Sequence, residues 1–110
     1  MRTEGTAVME PYCTWTRYAR MFPDGLGQRQ FEALLPEAEA YIDIVTDFRA
    51  GRAEGAVRER VETAAAMLVD RLGRGRAESG DSFGQERDMD GRILRLADRL
   101  LSGTGLTVAL

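Results

Sequence analysis

Apolar residues along this chain recur at steps of three and four positions, the spacing of amphipathic helices. No stretch alternates apolar and polar residues in the manner of a half-buried strand. The pattern predicts helices over residues 14–22, 28–48, 54–72 and 87–102. A length of 110 residues is typical of one domain. We therefore predict a single all-α domain over residues 1–110, built as a small bundle of about four helices.

The predicted helix ends rest on a few residue types. Thr14 is a suitable N-cap, and the sequence Pro-Asp-Gly at 23–25 ends the first helix. Gly73 is a natural stop for the third helix. Pro36 lies inside the second pattern, where it either kinks the helix or begins a new one, because proline lacks the donor that an interior position needs.

Three segments fall outside the helices: an N-terminal arm over 1–13, a long loop over 73–86 before the last helix, and an extended C-terminal tail over 103–110. Loops of this length are usually functional or disordered. Because the loop and the tail are poor in helix formers, we expect neither to contribute much to the core. Deleting residues 104–110 should therefore leave the domain folded.

The inward faces of the predicted helices define one core. Its central members are expected to be Leu34, Ile42, Val61, Leu68, Ile93 and Leu96.

Composition narrows the classes of function. All 15 basic residues are arginine, a side chain whose planar fork suits bidentate contacts at interfaces. The net charge of −3 disfavours sequence-independent DNA binding, which normally needs a basic surface.

The single cysteine, Cys13, excludes an intramolecular disulfide. The chain has neither an apolar run long enough to span a bilayer nor a signal-peptide pattern, so we expect it in the cytosol when it is made.

Candidate chemistry is sparse. Residues 80–84 match the G-x-S-x-G nucleophile pattern, but the chain has no histidine to act as its base. One cysteine and no histidine exclude the common zinc sites, and no phosphate-binding loop occurs. We therefore expect no enzyme activity, no metal and no cofactor.

A helix-turn-helix is the alternative to weigh for nucleic-acid binding. Residues 65–73 resemble its first helix and turn, so that a recognition helix would start near Arg76. Residues 78–84 are poor helix formers and carry acids where phosphates would lie. A small helical DNA-binding or regulatory interaction protein remains the alternative function.

Charge is distributed unevenly between two helices. The second helix is acidic, with Glu32, Glu37, Glu39, Asp43 and Asp47. The fourth presents Arg92, Arg95 and Arg99 along one face. These are either two ordinary solvated faces or surfaces through which neighbouring copies pair around a ring.

Five blocks of sequence carry a resemblance to a known family. They are an aromatic helix at 15–22, the block Phe-Glu-Ala-Leu-Leu-Pro-Glu-Ala-Glu-Ala-Tyr-Ile-Asp at 31–43, an alanine- and leucine-rich helix at 57–72, a Ser/Gly/Asp loop at 78–83, and an arginine- and leucine-rich helix at 93–106 that ends in Ser-Gly-Thr-Gly-Leu. In this order and spacing they resemble the head–tail adaptor (connector) proteins of long-tailed bacteriophages.

The resemblance implies a structural virion protein of the neck, assembled in the host cytoplasm. Such adaptors form a homo-oligomeric ring, of about 12 copies in the virion, beneath the portal. The implied partners are the portal protein and a head-completion (stopper) or tail-side protein. The genome would pass through the lumen without specific binding, and an acidic lumen would repel it. The resemblance implies no role for a membrane.

The same resemblance suggests where partners would bind. Arg74, Arg76 and Phe83 would contact a neighbouring subunit or the portal. Leu106, Val108 and Leu110 would cover apolar surface on a partner. Together with Arg92, Arg95 and Arg99, these residues form the predicted interface.

Overall fold

The fold is known from a computed structural model, which describes residues 11–79 and 83–107, with side chains except those of 76–79 and 83–90. It contains four α-helices: α1 Trp15–Met21, α2 Gln28–Thr46, α3 Gly55–Ser79 and α4 Phe83–Leu100. A short 3-10 turn, Ala50–Arg52, lies between α2 and α3. The described residues form no strand. The prediction of a small all-α bundle is confirmed.

Three long helices form the body of the domain. Helices α2, α3 and α4 each pack against the other two, and the short α1 lies against α2 and α3. One buried cluster joins all four. Five of the six residues predicted for its centre are buried, and the sixth, Leu96, is half-buried at its edge. The three- and four-residue spacing therefore placed the inward faces correctly.

An N-cap begins helix α1, and helix α2 accommodates an internal proline. The Thr14 side chain accepts a hydrogen bond from the backbone N–H of Arg17, so the predicted N-cap is confirmed. Helix α2 is one continuous helix with Pro36 inside it. Pro36 and Glu32, whose carbonyl loses its i+4 donor, are both exposed, so water can satisfy that carbonyl.

The predicted loop over 73–86 is wrong where the structure describes it. Helix α3 continues to Ser79 and α4 already begins at Phe83; residues 80–82 lie outside the described residues. Gly73 does not end a helix. A Cβ atom there would lie 2.5 and 2.7 Å from the two methyl carbons of Leu26. The glycine leaves room for the Leu26 side chain, which would have to move to admit a Cβ atom. A glycine in this role looks the same in sequence as one that ends a helix.

A hydrogen-bonded chain ties that connection to α3. The Tyr18 hydroxyl is fully buried; it donates to Asp70 Oδ1 at 2.9 Å and accepts from the backbone N–H of Leu26 at 2.9 Å. The second carboxylate oxygen of Asp70 pairs with Arg74 Nε at 2.8 Å. This network explains why a buried carboxylate is tolerated in the core, because both of its oxygens have partners.

The C-terminal segment folds back on the bundle instead of extending. Arg60 of α3 donates to the carbonyls of Leu100 and Ser102, which satisfies the end of α4. Leu106 is half-buried and packs against the core, and its carbonyl accepts from Arg49 Nη2 at 2.5 Å. The prediction of an extended tail is therefore wrong for the described residues up to 107, because polar contacts hold this part of the chain against α3 and the α2–α3 connection.

Candidate interaction surfaces

A groove lined by arginines runs between α3 and α4. Three of its arginines lie along one face of α4, as their spacing in the sequence predicted. The fourth, Arg71, belongs to α3. The groove has a volume of about 210 Å³. This arginine groove is lined by Arg71, Arg92, Ile93, Arg95, Leu96 and Arg99.

The charge of the arginine groove is not neutralised within the described part of the chain. All four arginines are exposed. No ion pair or hydrogen bond joins their side chains to a side chain that the structure describes. Other arginines of this protein are engaged: Arg17, Arg49, Arg58, Arg60 and Arg74 all contact carboxylates, hydroxyls or carbonyls of their own chain. The groove therefore groups four arginines that pair with no described side chain; Arg20, Arg29 and Arg52 are exposed too but do not line it.

The chemistry of the arginine groove favours an acidic and partly apolar partner. Guanidinium groups bind carboxylates with two parallel hydrogen bonds and stack on aromatic rings. Leu96 adds an apolar contribution to the lining. The volume is below the ~300–1,000 Å³ typical of small-molecule pockets, so a protruding side chain fits better than a metabolite.

Two acids of the predicted acidic face of α2 bind the segment before α1. Asp43 accepts a hydrogen bond from the Tyr12 hydroxyl, and Glu39 accepts from the Tyr12 backbone N–H at 2.8 Å. The Arg58 guanidinium lies 5.6 Å from the centre of the Tyr12 ring and donates to the Pro11 carbonyl. These two acids therefore hold the segment before α1 in place. The pairing was not predictable, because Tyr12 lies in what the sequence presents as an irregular arm.

The outward face of α2 is apolar along its centre. Its exposed residues there repeat at steps of three and four, and the most apolar, Ile44, is 49% exposed. Phe48 follows just beyond the helix and is 70% exposed. We call this set the apolar stripe; it comprises Ala33, Pro36, Ala40, Ile44 and Phe48.

Phe48 is also held in an unfavourable backbone conformation. Asp47 and Phe48 have φ angles of 52° and 61°, in the left-handed region that glycine normally occupies at a helix end. The backbone N–H of Phe48 closes the helix by donating to the Asp43 carbonyl at 2.9 Å. A bulky residue in this region is an outlier, and nothing in the described fold covers its ring.

The arginine groove and the apolar stripe face in different directions. Helix α2 packs against both α3 and α4, so it occupies the inner side of the cleft between them. The arginine groove must then open on the outer side, away from α2. The apolar stripe lies on the side of α2 that is turned away from the core. The two surfaces therefore lie on opposite sides of the bundle.

The remaining residues of the predicted interface fall in different places. Arg74 pairs with Asp70 of its own helix and stays exposed, and Leu106 is half-buried against its own core; their contacts with a partner stay predictions. Arg76 lies in α3 and Phe83 is the first residue of α4, but their side chains lie outside the described residues. Val108 and Leu110 also lie outside them.

Burial, rather than any reactive arrangement, governs the titratable groups of the N-terminal segment. Burial raises the pKa of the Cys13 thiol from an ordinary 9.0 to about 11. Burial and the hydrogen bond to Asp43 raise the pKa of Tyr12, and burial also raises that of Tyr18. A thiol with a raised pKa is rarely ionised at neutral pH and is therefore a poor nucleophile, and Cys13 is a buried small side chain of the core.

The continuous helix α3 contradicts the helix-turn-helix alternative. Its turn would fall at Gly73, where α3 continues as a helix.

In the nucleophile-like sequence at 80–84, residues 80–82 lie outside the described residues, and Gly84 is helical. Among the described residues, no cluster of histidine, cysteine and acidic side chains is arranged to hold a metal ion. No described helix combines the length and apolarity needed to cross a membrane.

Comparison of the chain with protein-family models, with curated proteins and with solved structures found no match.

Proposed function

We propose that this protein is a structural assembly protein, a head–tail adaptor that forms a ring beneath the portal of a long-tailed phage or phage-like particle. It would prolong the DNA channel and dock the stopper or tail-side protein. In this role it has no enzymatic activity and needs no cofactor. It would act in the virion neck after assembly in the host cytoplasm.

The observation that carries the proposal is the order of the sequence blocks on the helices. The block at 31–43 lies wholly within α2, the alanine- and leucine-rich block at 57–72 lies within α3, and the block at 93–106 spans the end of α4 and the segment folded back after it. A helical bundle that carries these blocks in this order supports the resemblance on which the proposal rests.

The surface chemistry supports an assembly role in a second way. Four arginines in one groove pair with no side chain that the structure describes, and a strained aromatic residue is exposed elsewhere. Exposed aromatic and arginine side chains of this kind are typical of surfaces that bind another protein. The alternative, a small regulatory interaction protein, shares these surfaces but does not account for the order of the blocks.

Binding to the portal protein encoded by the same genome tests the proposal. The purified chain should bind assembled portal rings, and electron microscopy should show added density in a ring at the tail-facing end of the portal. A genome with a stop codon early in this reading frame should yield DNA-filled heads without tails. Normal tailed particles from that genome would overturn the proposal, as would sub-micromolar binding of the chain to duplex DNA at physiological salt.

A further inference from the structure

We propose that the apolar stripe of one copy of this protein docks into the arginine groove of a second copy, with Phe48 as its central anchor. The inference deepens the proposed function by naming the contact between neighbouring subunits, and in that respect it rests on it. The self-association itself can be measured on the isolated chain.

The first argument is charge complementarity. Between residues 30 and 48 the chain carries five acids and no basic residue. Two of these acids hold Tyr12. Glu32 and Asp47 are exposed beside the apolar stripe, and Glu32 accepts a hydrogen bond from the neutral side-chain amide of Gln28 at 3.2 Å. The arginine groove offers four guanidinium groups that have no partner within the described side chains. An acidic helix edge is the surface that such a groove binds best.

The second argument is the fit of an aromatic anchor. Phe48 is the most exposed large apolar side chain in the described part of the protein. A groove of about 210 Å³ has space for a protruding ring, and the surrounding guanidinium groups can stack on its faces. Buried aromatic and arginine side chains are also the residues that dominate protein–protein interfaces.

The third argument concerns the backbone at Phe48. A φ of 61° is costly for phenylalanine, and glycine would relieve that cost. The described fold gains no packing from the ring in return. A residue that is both strained and exposed is explained if its side chain acts in a contact between molecules.

The placement of the two surfaces determines the kind of assembly. Because they lie on opposite sides of the bundle, a copy that uses its apolar stripe still presents its arginine groove. The contact is therefore heterologous, and its repetition produces a closed ring or an open filament instead of a symmetric dimer.

The experiment uses two variants of the full chain and their mixture. The stripe variant combines Ile44→Gln with Phe48→Gly, and the groove variant combines Arg95→Glu with Arg99→Glu. All four positions are exposed or lie on the groove wall, so both variants should keep the helical circular dichroism of the wild type. Arg20→Glu, at an exposed arginine of α1, is the matched control for a charge change outside the contact.

Sedimentation velocity over a range of concentrations gives the readout. We expect the wild type and the Arg20→Glu control to self-associate, and each of the two variants alone to be at least ~10-fold weaker. The mixture should form a one-to-one complex, because the intact groove of the stripe variant binds the intact stripe of the groove variant. Phe48→Gly alone should lose association without a lower unfolding temperature.

Several results would overturn the pairing. A wild type that stays monomeric at about 1 mM would do so. A groove variant that still associates like the wild type would also do so, as would a mixture that forms no complex. If the variants associate normally while the chain still binds the portal, the pairing is wrong and the adaptor function stands. If the mixture pairs as expected but the chain does not bind the portal, the pairing stands and the adaptor function is wrong.

Discussion

Replacing Tyr18 with phenylalanine removes one oxygen atom from the network that joins the α1–α2 connection to α3. The hydroxyl donates to Asp70 at 2.9 Å and accepts the backbone N–H of Leu26 at 2.9 Å. Without it, Asp70 keeps only its pair with Arg74, and the Leu26 N–H loses its acceptor. Each buried group left without a partner costs about 1–3 kcal/mol.

The expected loss is about 2 kcal/mol of unfolding free energy, near the low end of the sum of the two costs. Leu26 is half-buried, so water can compensate part of its loss, whereas the Asp70 carboxylate is only 7% exposed. For a domain of this size such a loss lowers the unfolding temperature by roughly 8 °C.

Urea unfolding followed by circular dichroism at a helical wavelength measures this loss. Fluorescence is less suitable because the only tryptophan, Trp15, has its ring centre 5.8 Å from that of Tyr18 and would report the substitution itself. In an Asp70→Ala background the hydroxyl has already lost its acceptor, so Tyr18→Phe should cost about 1 kcal/mol less there. A loss under about 0.5 kcal/mol in the wild type, or an equal loss in both backgrounds, would refute the reasoning.

Four further predictions follow from burial and close packing. Gly73→Ala should destabilise the fold in thermal unfolding, although alanine is favoured in helices by about 1 kcal/mol, because the new methyl group meets Leu26; with Leu26→Ala the same change should stabilise it. Cys13 should be alkylated at pH 8 about 100-fold more slowly in the folded than in the urea-unfolded chain, since its pKa is raised from 9.0 to about 11 and its thiolate is correspondingly rarer. Because the folded state favours the protonated thiol, the stability it contributes is complete below pH 9.0 and is lost as the pH rises through about 11, which a series of unfolding curves at alkaline pH would show. Deletion of residues 104–110 should leave the domain folded, as the sequence predicts, but lower its unfolding temperature, because it removes Leu106 and its bond to Arg49; an unchanged unfolding temperature would contradict that role.

The helices and their inward faces were predictable because side-chain spacing is a local property. The third helix shows where that approach fails. Glycine is common at helix ends, but a glycine inside a helix can also make room for a side chain from another segment. Only the tertiary structure shows that the Leu26 side chain lies against Gly73.

The candidate surfaces were predictable only in part. The arginine row of α4 followed from its spacing, whereas Arg71 joins it because α3 and α4 pack side by side. The acidic character of α2 was visible in the sequence, but the use of Asp43 to hold Tyr12 was not. Ile44 and Phe48 lie off the predicted inward face of the second helix, but their exposure and the left-handed backbone of Phe48 are visible only in the structure.

The uninterrupted length of α3 has a consequence for how the chain folds. Helix α3 spans 25 residues, and the most extensive packing between helices joins it to α2 through a short connection. That hairpin brings together residues close in sequence, so little chain entropy is lost in forming it. We expect the transition state of folding to contain the α2–α3 hairpin, with α1 and the end of α4 docking later onto a surface that already exists. The aromatic contacts of Trp15 with Tyr18 and Phe31 would then report the last step of folding rather than the first.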